Sequence, residues 1–165
     1  MTAASAQIEV FIADYRNAAH AAALVGLLDA YASDPAGGGQ PLDASVRESL
    51  PAALAARPQA FSVLAYDGGQ PVGLINCIEG FSTFAAKPLV NVHDVVVLSS
   101  HRGQRVAQKM FVRVEEEAHR RGACKLTLEV LSGNAPALRA YEREGFAGYQ
   151  LDPAFGTAVF LQKKL

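Results

Sequence analysis

Arg102, Gly103 and Arg105 stand between two regular stretches: the apolar run Val95-Val96-Val97-Leu98 before them, and a helically spaced stretch from Val106 onward. A helix start presents backbone N–H groups with no internal partner, and the macrodipole adds partial positive charge there, so such an opening suits phosphate oxygens. Gly103 allows close backbone approach, Ala107 keeps the first turn uncrowded, and the two arginines place charge beside the same spot. The chemistry is the local holding of a pyrophosphate. A second candidate is His93, inside the β-branched run VNVHDVVVL from Val90 to Leu98. A two-residue strand period puts residues 91, 93, 95 and 97 on one face if no bulge intervenes. An imidazole titrates near neutral pH and can accept a proton directly or through water. The alternative is a satisfied structural histidine, with solvent taking the proton. Asp94 points the opposite way by the same count and reads as a structural or hydrogen-bonding residue unless a bulge turns it inward.

Several elements must position these groups. Gln7 to Ile12 alternates as a short first strand, and Asp14 offers a side-chain oxygen to cap a helix running to about Tyr31. Ala21, Leu24, Leu27, Leu28 and Tyr31 recur at helical spacing, so one face can pack on a sheet. The stretch DPAGGGQPL breaks the pattern, and a second helix follows to Arg57. FSVLAYD, the turn Gly68-Gly69 and PVGLINCIE read as an antiparallel hairpin, with GFSTFAAKPL as a connection to the Val90 strand. Val106, Met110, Val114 and Ala118 fall on one face of a helix from Arg102 to Arg121, which Gly122 ends. CKLTLEVL is another strand, Asn134 caps a helix with Pro136 in its first turn, and Gly145 closes it. Two last strand candidates are Phe146 to Tyr149 and Thr157 to Gln162. Strands alternate with helices late in the chain and form a tight hairpin in its middle. The expected fold is therefore α/β, a single domain with a mixed, mostly antiparallel central sheet and helices on both faces.

The 165 residues, half of them hydrophobic and 19% charged, suffice for one sizeable core. A formal net charge of -1 gives no global field for nucleic acid or an anionic membrane, so neither is an expected partner. Cys77 and Cys124 lie in apolar runs without Cys-x-x-Cys spacing, which suggests neither a metal site nor a disulfide framework and fits a reducing cytoplasm. Cys124, at the start of a strand, is expected to be buried. The opening MTAASAQIEV lacks the pattern of a secretory leader, and no segment has the length of a bilayer span. His20, His101 and His119 read as surface or capping residues.

The strand, the HRGQRVA turn, the helix and then EVLSGNAPALRAYEREGF together resemble the GNAT superfamily of acetyl-CoA-dependent N-acetyltransferases, whose turn motif is Gln/Arg-x-x-Gly-x-Gly/Ala. The resemblance is good over roughly residues 60 to 165. It implies that acetyl-CoA is the cosubstrate, with residues 90–145 as its binding core. Val95, Val96 and Val97 would receive the pantetheine arm and thioester on a bulged strand; the amides of Gly103, Gln104, Arg105, Val106, Ala107 and Gln108 would take the pyrophosphate, with Arg102 placing charge beside them. The family's Asn-x-x-Ala-x-x-x-Tyr pattern falls on Asn134, Ala137 and Tyr141, placing the asparagine near pantetheine and the tyrosine near the thioester sulfur. Arg105 departs from the motif, standing where its first glycine is expected. Homodimers are frequent in that family.

The implied reaction is direct attack of a primary amine of a small molecule on the thioester. An ammonium must lose a proton, an oxyanion must be stabilised and a thiolate must be protonated. Tyr141 is the expected proton donor, its alternative being a tyrosine packed on a helix face; His93 is the expected base. Acceptor recognition is expected from loops, among them the connection that begins at Tyr31, with Asp34 or Glu79 toward a cationic amine and Phe81 and Phe84 as pocket walls. The plain alternatives are solvated loop charges and core aromatics. Competing functions are a non-catalytic acyl-CoA-binding or sensing module and a protein or peptide N-acetyltransferase. A dinucleotide-binding domain would need an early Gly-x-Gly-x-x-Gly turn, which the chain lacks.

Overall fold

The computed structural model describes residues 8–165, so Gln7, the expected start of the first strand, and the first six of the opening residues read for a leader lie outside the described residues. The chain divides into a larger compact unit ending at Leu128 and a smaller one from Glu129 to Leu165.

In the larger unit, five strands form one sheet in sequence order: β1 (Glu9–Ile12), β2 (Ala60–Asp67), β3 (Gln70–Ser82), β4 (Lys87–Val97) and β5 (Leu126–Leu128). The first four are antiparallel neighbours and β5 runs parallel to β4, giving the expected mixed sheet. Gly68 and Gly69 both take positive φ, 53° and 84°, the backbone a two-residue hairpin turn between twisted strands demands. The strands β3 and β4 extend further than GFSTFAAKPL suggests: pairing continues to Ser82 opposite Lys87, so most of that connection is ladder.

Helices cover both faces. Packed on one are α1 (Ala18–Ser33) and α2 (Ala44–Ala55), with Leu24 and Leu27 of α1 buried against Leu64, Leu74 and Val96 and with Leu50 and Leu54 of α2 beside them. The other face carries α3 (Val106–Arg120), which buries Val106, Met110, Val114 and Ala118, the row expected from their spacing. Removing a side chain the size of Met110 or Val114 from water stabilises the unit by roughly 1.5–3 kcal/mol. The helix lies close to β3: a Cβ on Gly73 would meet Met110 Cε at 2.9 Å and Val106 Cγ1 at 3.1 Å, so a larger residue there would require these side chains to shift.

Some boundaries differ from expectation. Asn17, not Asp14, caps α1, accepting from the amides of Ala19 and His20; Asp14 closes its own turn by accepting from Arg16 N at 2.9 Å. The helix after the basic turn starts at Val106 because Gly103 and Arg105 have positive φ, which breaks helical continuity. Cys124 is exposed rather than buried, lying ahead of the short β5; Cys77 is buried, and both thiols are free.

The smaller unit holds α4 (Ala135–Arg143), capped by Asn134 Oδ1 on the Ala137 amide. Residues 146–149 and 157–162 are not strands. An alternating pattern supplies the side chains for a strand, but a strand exists only where its backbone groups find partners. Between these two segments Ala158 N donates to Tyr149 O at 3.3 Å. Leu151, Phe155, Val159, Phe160 and Leu161 are exposed.

Candidate active site

The strand β4 changes character at His93. Val92 pairs with Cys77 and Asp94 with Asn76, so His93 is the extra residue of a β-bulge with no position in the ladder. Side-chain parity therefore shifts along the strand. Val90, Val92, Val95 and Val97 face α3, opposite Glu79, Cys77, Ile75 and Gly73, whereas Asp94 and Val96 face α1 beside Asn76 and Leu74. The expected row of 91, 93, 95 and 97 does not form: His93 is exposed, and it is Asp94 that turns into the space below α1.

The parallel ladder with β5 covers Val90 to Val92 and ends where the bulge begins. Beyond it, residues 94–97 keep their bonds to β3, and the backbone edge on the other side leaves the ladder. An edge of this kind can bond an extended amide-bearing ligand as a further strand would. On that stretch Val97 O already accepts from Arg102 Nε at 3.2 Å.

A turn of 3₁₀-helix, Ser99–His101, leads from β4 toward α3, and its side chains anchor it. His101 Nε2 lies 3.1 Å from Asp67 Oδ2 and its Nδ1 2.8 Å from Ser100 Oγ, while Gln104 Nε2 donates to Ser100 O. His101 is thus a brace between the β2–β3 hairpin and the turn. Arg105 precedes α3 at φ 62°, ψ 22°, the left-handed region its motif position reserves for glycine, and its side chain makes no capping bond. The first amides of α3 have no acceptor within the helix. An uncapped start, with Arg102 and Arg105 beside it and Gly103 at φ 77°, fits a diphosphate by the chemistry of its donors.

On the α1 side, Tyr31 and Asp34 lie near the bulge. Burial raises the Tyr31 phenol above its ordinary range, and the Asp94 and Asp34 carboxylates add to the rise. The Asp34 carboxylate stands 3.7 Å from Arg102. The other acceptor candidates lie elsewhere. Glu79 is on the α3 face and bonds Arg121 at 2.9 Å, a pairing between residues 42 apart in sequence. Phe81 and Phe84 sit at the end of the β3–β4 hairpin, 62% and 97% exposed.

Three residues absent from the sequence expectations join the site. Tyr15 OH is 2.9 Å from Ser62 Oγ, Ser62 Oγ donates to Asn76 Oδ1 at 2.6 Å, and Asn76 Nδ2 donates to Asp94 Oδ2 at 3.0 Å. For Ser62 and Asn76 the signal is a polar residue inside an otherwise apolar stretch of strand; Tyr15 carries no such signal. In the smaller unit, Asn134 and Ala137 form the start of α4, and Tyr141 lies on that helix with its ring centroid 6.0 Å from that of Phe146. Among the described residues no group of side chains has the geometry of a metal site, and no helix is long and apolar enough to cross a membrane.

The sequence profile of the Acetyltransferase (GNAT) family matches residues 24–146. The chain is similar to streptothricin acetyltransferase of Streptomyces lavendulae, 41% identical over 71 residues that cover 42% of this chain and 38% of that protein. It is also similar to aminoalkylphosphonate N-acetyltransferase of Salmonella typhimurium, 32% identical over 89 residues that cover 54% of this chain and 58% of that protein. The chain thus spans well under two thirds of the length of either curated relative. The structure of an aminoglycoside N-acetyltransferase in complex with CoA superposes with a TM-score of 0.76 over 100% of both chains at 14% identity, a likeness of fold.

Proposed function

Starting from the chain's membership of the GNAT acetyltransferase family, we propose that it transfers the acetyl group of acetyl-CoA to a primary amine of a small molecule by direct attack. The observation that carries the reading is the uncapped start of α3 next to the strand edge that leaves the ladder at the bulge. The amides from Gly103 to Gln108, with Arg102 and Arg105, would hold the diphosphate, and the edge at Val95 to Val97 would hold the pantetheine arm. Asn134 and Ala137 are proposed as further coenzyme-binding residues, and Tyr141 as the proton donor to the sulfur. The names of the two curated relatives, both for enzymes acting on small amines, support the choice of acceptor.

The coenzyme supplies an activated acyl carbon. The chain's part is to aim it, to deprotonate the acceptor and to protonate the leaving sulfur. Of the two candidates for the proton acceptor, Asp94 is favoured over His93, because its charge reaches Tyr31 on the α1 side while His93 is looped out of the ladder. Tyr31 and Asp34 are retained for the acceptor's cationic end. Residues 1–165 act as one functional domain in this reading, in the reducing cytoplasm that suits two free thiols. A homodimer that covers the exposed apolar residues of the last segment belongs to it as well.

The test is purified protein with acetyl-CoA and a panel containing a polyamine, an aminoglycoside and an aminoalkylphosphonate, followed by thiol release. Acceptor-dependent thiol is the expected result. Coenzyme binding by calorimetry without such release from any amine would favour a non-catalytic acyl-CoA binder, and no coenzyme binding at all would end both readings.

A further inference from the structure

The row Ser62, Asn76, Asp94 crosses three strands on the α1 face, each residue directly opposite the next in register. Its neighbouring row is Leu64, Leu74, Val96, which is fully apolar and buried. A polar row in such a place costs free energy unless every group is bonded, and here every bond has one allowed direction. A carboxylate accepts only, so Asn76 must present its NH₂ to Asp94. That leaves Asn76 Oδ1 to accept from Ser62 Oγ–H, and Ser62 Oγ then accepts from Tyr15. All three donors point toward Asp94, so each bond polarises the next in the sense that favours its charge. Burial pushes the Tyr15 phenol up, which keeps the outermost member a neutral donor.

We propose that Tyr15, Ser62 and Asn76 are positioning residues that act through Asp94, holding its carboxylate charged and aimed at the acceptor amine. The inference rests on the acetyltransferase reading. The acceptor's ammonium gives one proton to Asp94; its nitrogen then forms the C–N bond as the C–S bond breaks. The second proton lost from nitrogen ends on the sulfur, and Asp94 returns its own to solvent. Charged or titratable groups around Asp94 are Tyr31 from α1, Asp34 with Arg102 beyond the end of that helix, the buried Cys77 on β3, and His93 next in sequence. None of them occupies the hydrogen bond that Asn76 makes.

The variants are Ser62→Ala, Ser62→Thr and Tyr15→Phe, with coenzyme calorimetry as the measure of folding. Ser62→Ala lowers kcat/KM for the acceptor about fivefold and moves the acid limb of its pH profile upward, with coenzyme affinity unchanged. Tyr15→Phe acts in the same direction by about twofold. Ser62→Thr, which keeps the hydroxyl, lies nearer the parent protein than Ser62→Ala does. An acid limb that stays in place in folded Ser62→Ala overturns the proposal. If the parent protein acetylates no amine in the panel, the functional reading fails separately. The chain of bonds is then judged by the Asp94 carboxyl carbon resonance, whose titration must move in Ser62→Ala, and a stationary midpoint overturns it.

Discussion

The Arg102 guanidinium stands 3.7 Å from the Asp34 carboxylate, so a residue of the proposed diphosphate turn is paired with one of the proposed acceptor loop. Both side chains are substantially exposed, and such pairs are worth at most about 1 kcal/mol. A diphosphate carries more charge than one carboxylate and competes for the same arginine. Binding of the coenzyme is then expected to release Asp34 toward a cation. Asp34→Asn should tighten coenzyme binding by up to about fivefold in low salt, with the gain shrinking as ionic strength rises. Unchanged or weaker affinity in calorimetry would show that the pairing does not gate the site.

Arg105 holds a left-handed conformation that costs a side-chain-bearing residue about 1–2 kcal/mol, partly offset because glycine loses more entropy on folding. Arg105→Gly should therefore raise stability by about 1 kcal/mol, seen as a melting temperature higher by roughly 3 °C. The same change removes a cation from beside the turn, so coenzyme affinity should fall. A melting temperature that does not rise would mean that the arginine side chain stabilises the fold by contacts that offset its backbone strain.

Tyr141→Phe tests the proton donor. Turnover should drop by about 10²-fold, within the usual range for loss of a general acid, while coenzyme affinity stays as it was. Full turnover with chemistry rate-limiting would assign the proton to another group.

Glu117 is buried on α3 between Arg120 and Arg121, and the Arg120 hydrogen bond, joined by those of Arg121 and opposed by burial, lowers its carboxyl to about 2 from 4.5. The folded form binds its proton more weakly than the unfolded one. Its contribution is thus complete above pH 4.5 and disappears as pH falls toward 2. The loss should be on the order of 2–3 kcal/mol in denaturant titrations across that window, and Glu117→Gln should flatten it. An identical slope in the variant would place the acid sensitivity elsewhere.

Features set by local chemistry could be read directly from the sequence. Gly68-Gly69 announces its hairpin because few other residues tolerate two consecutive positive φ angles, and Asn134 announces its cap. The apolar row of α3 follows from spacing alone. Long-range choices could not be read this way. VNVHDVVVL breaks its alternation at the adjacent polar pair His93-Asp94, but spacing alone does not say which of the two leaves the ladder. Asp14 and Asn17 offer the same kind of oxygen three residues apart, and the competing turn at Asp14 decides which one starts the helix. Glu79 reads as a free carboxylate until Arg121 is brought beside it.

The irregularity at His93 has an arithmetic consequence. Since Val92 and Asp94 are opposite consecutive residues of the neighbouring strand, a protein shortened by that single residue would keep Asp94, Val95, Val96 and Val97 on their present sides. Substitution alters the imidazole and leaves the distortion; excision removes both and closes the strand into a regular ribbon. The two variants together separate what the ring contributes from what the outward bend contributes, without turning any downstream side chain over.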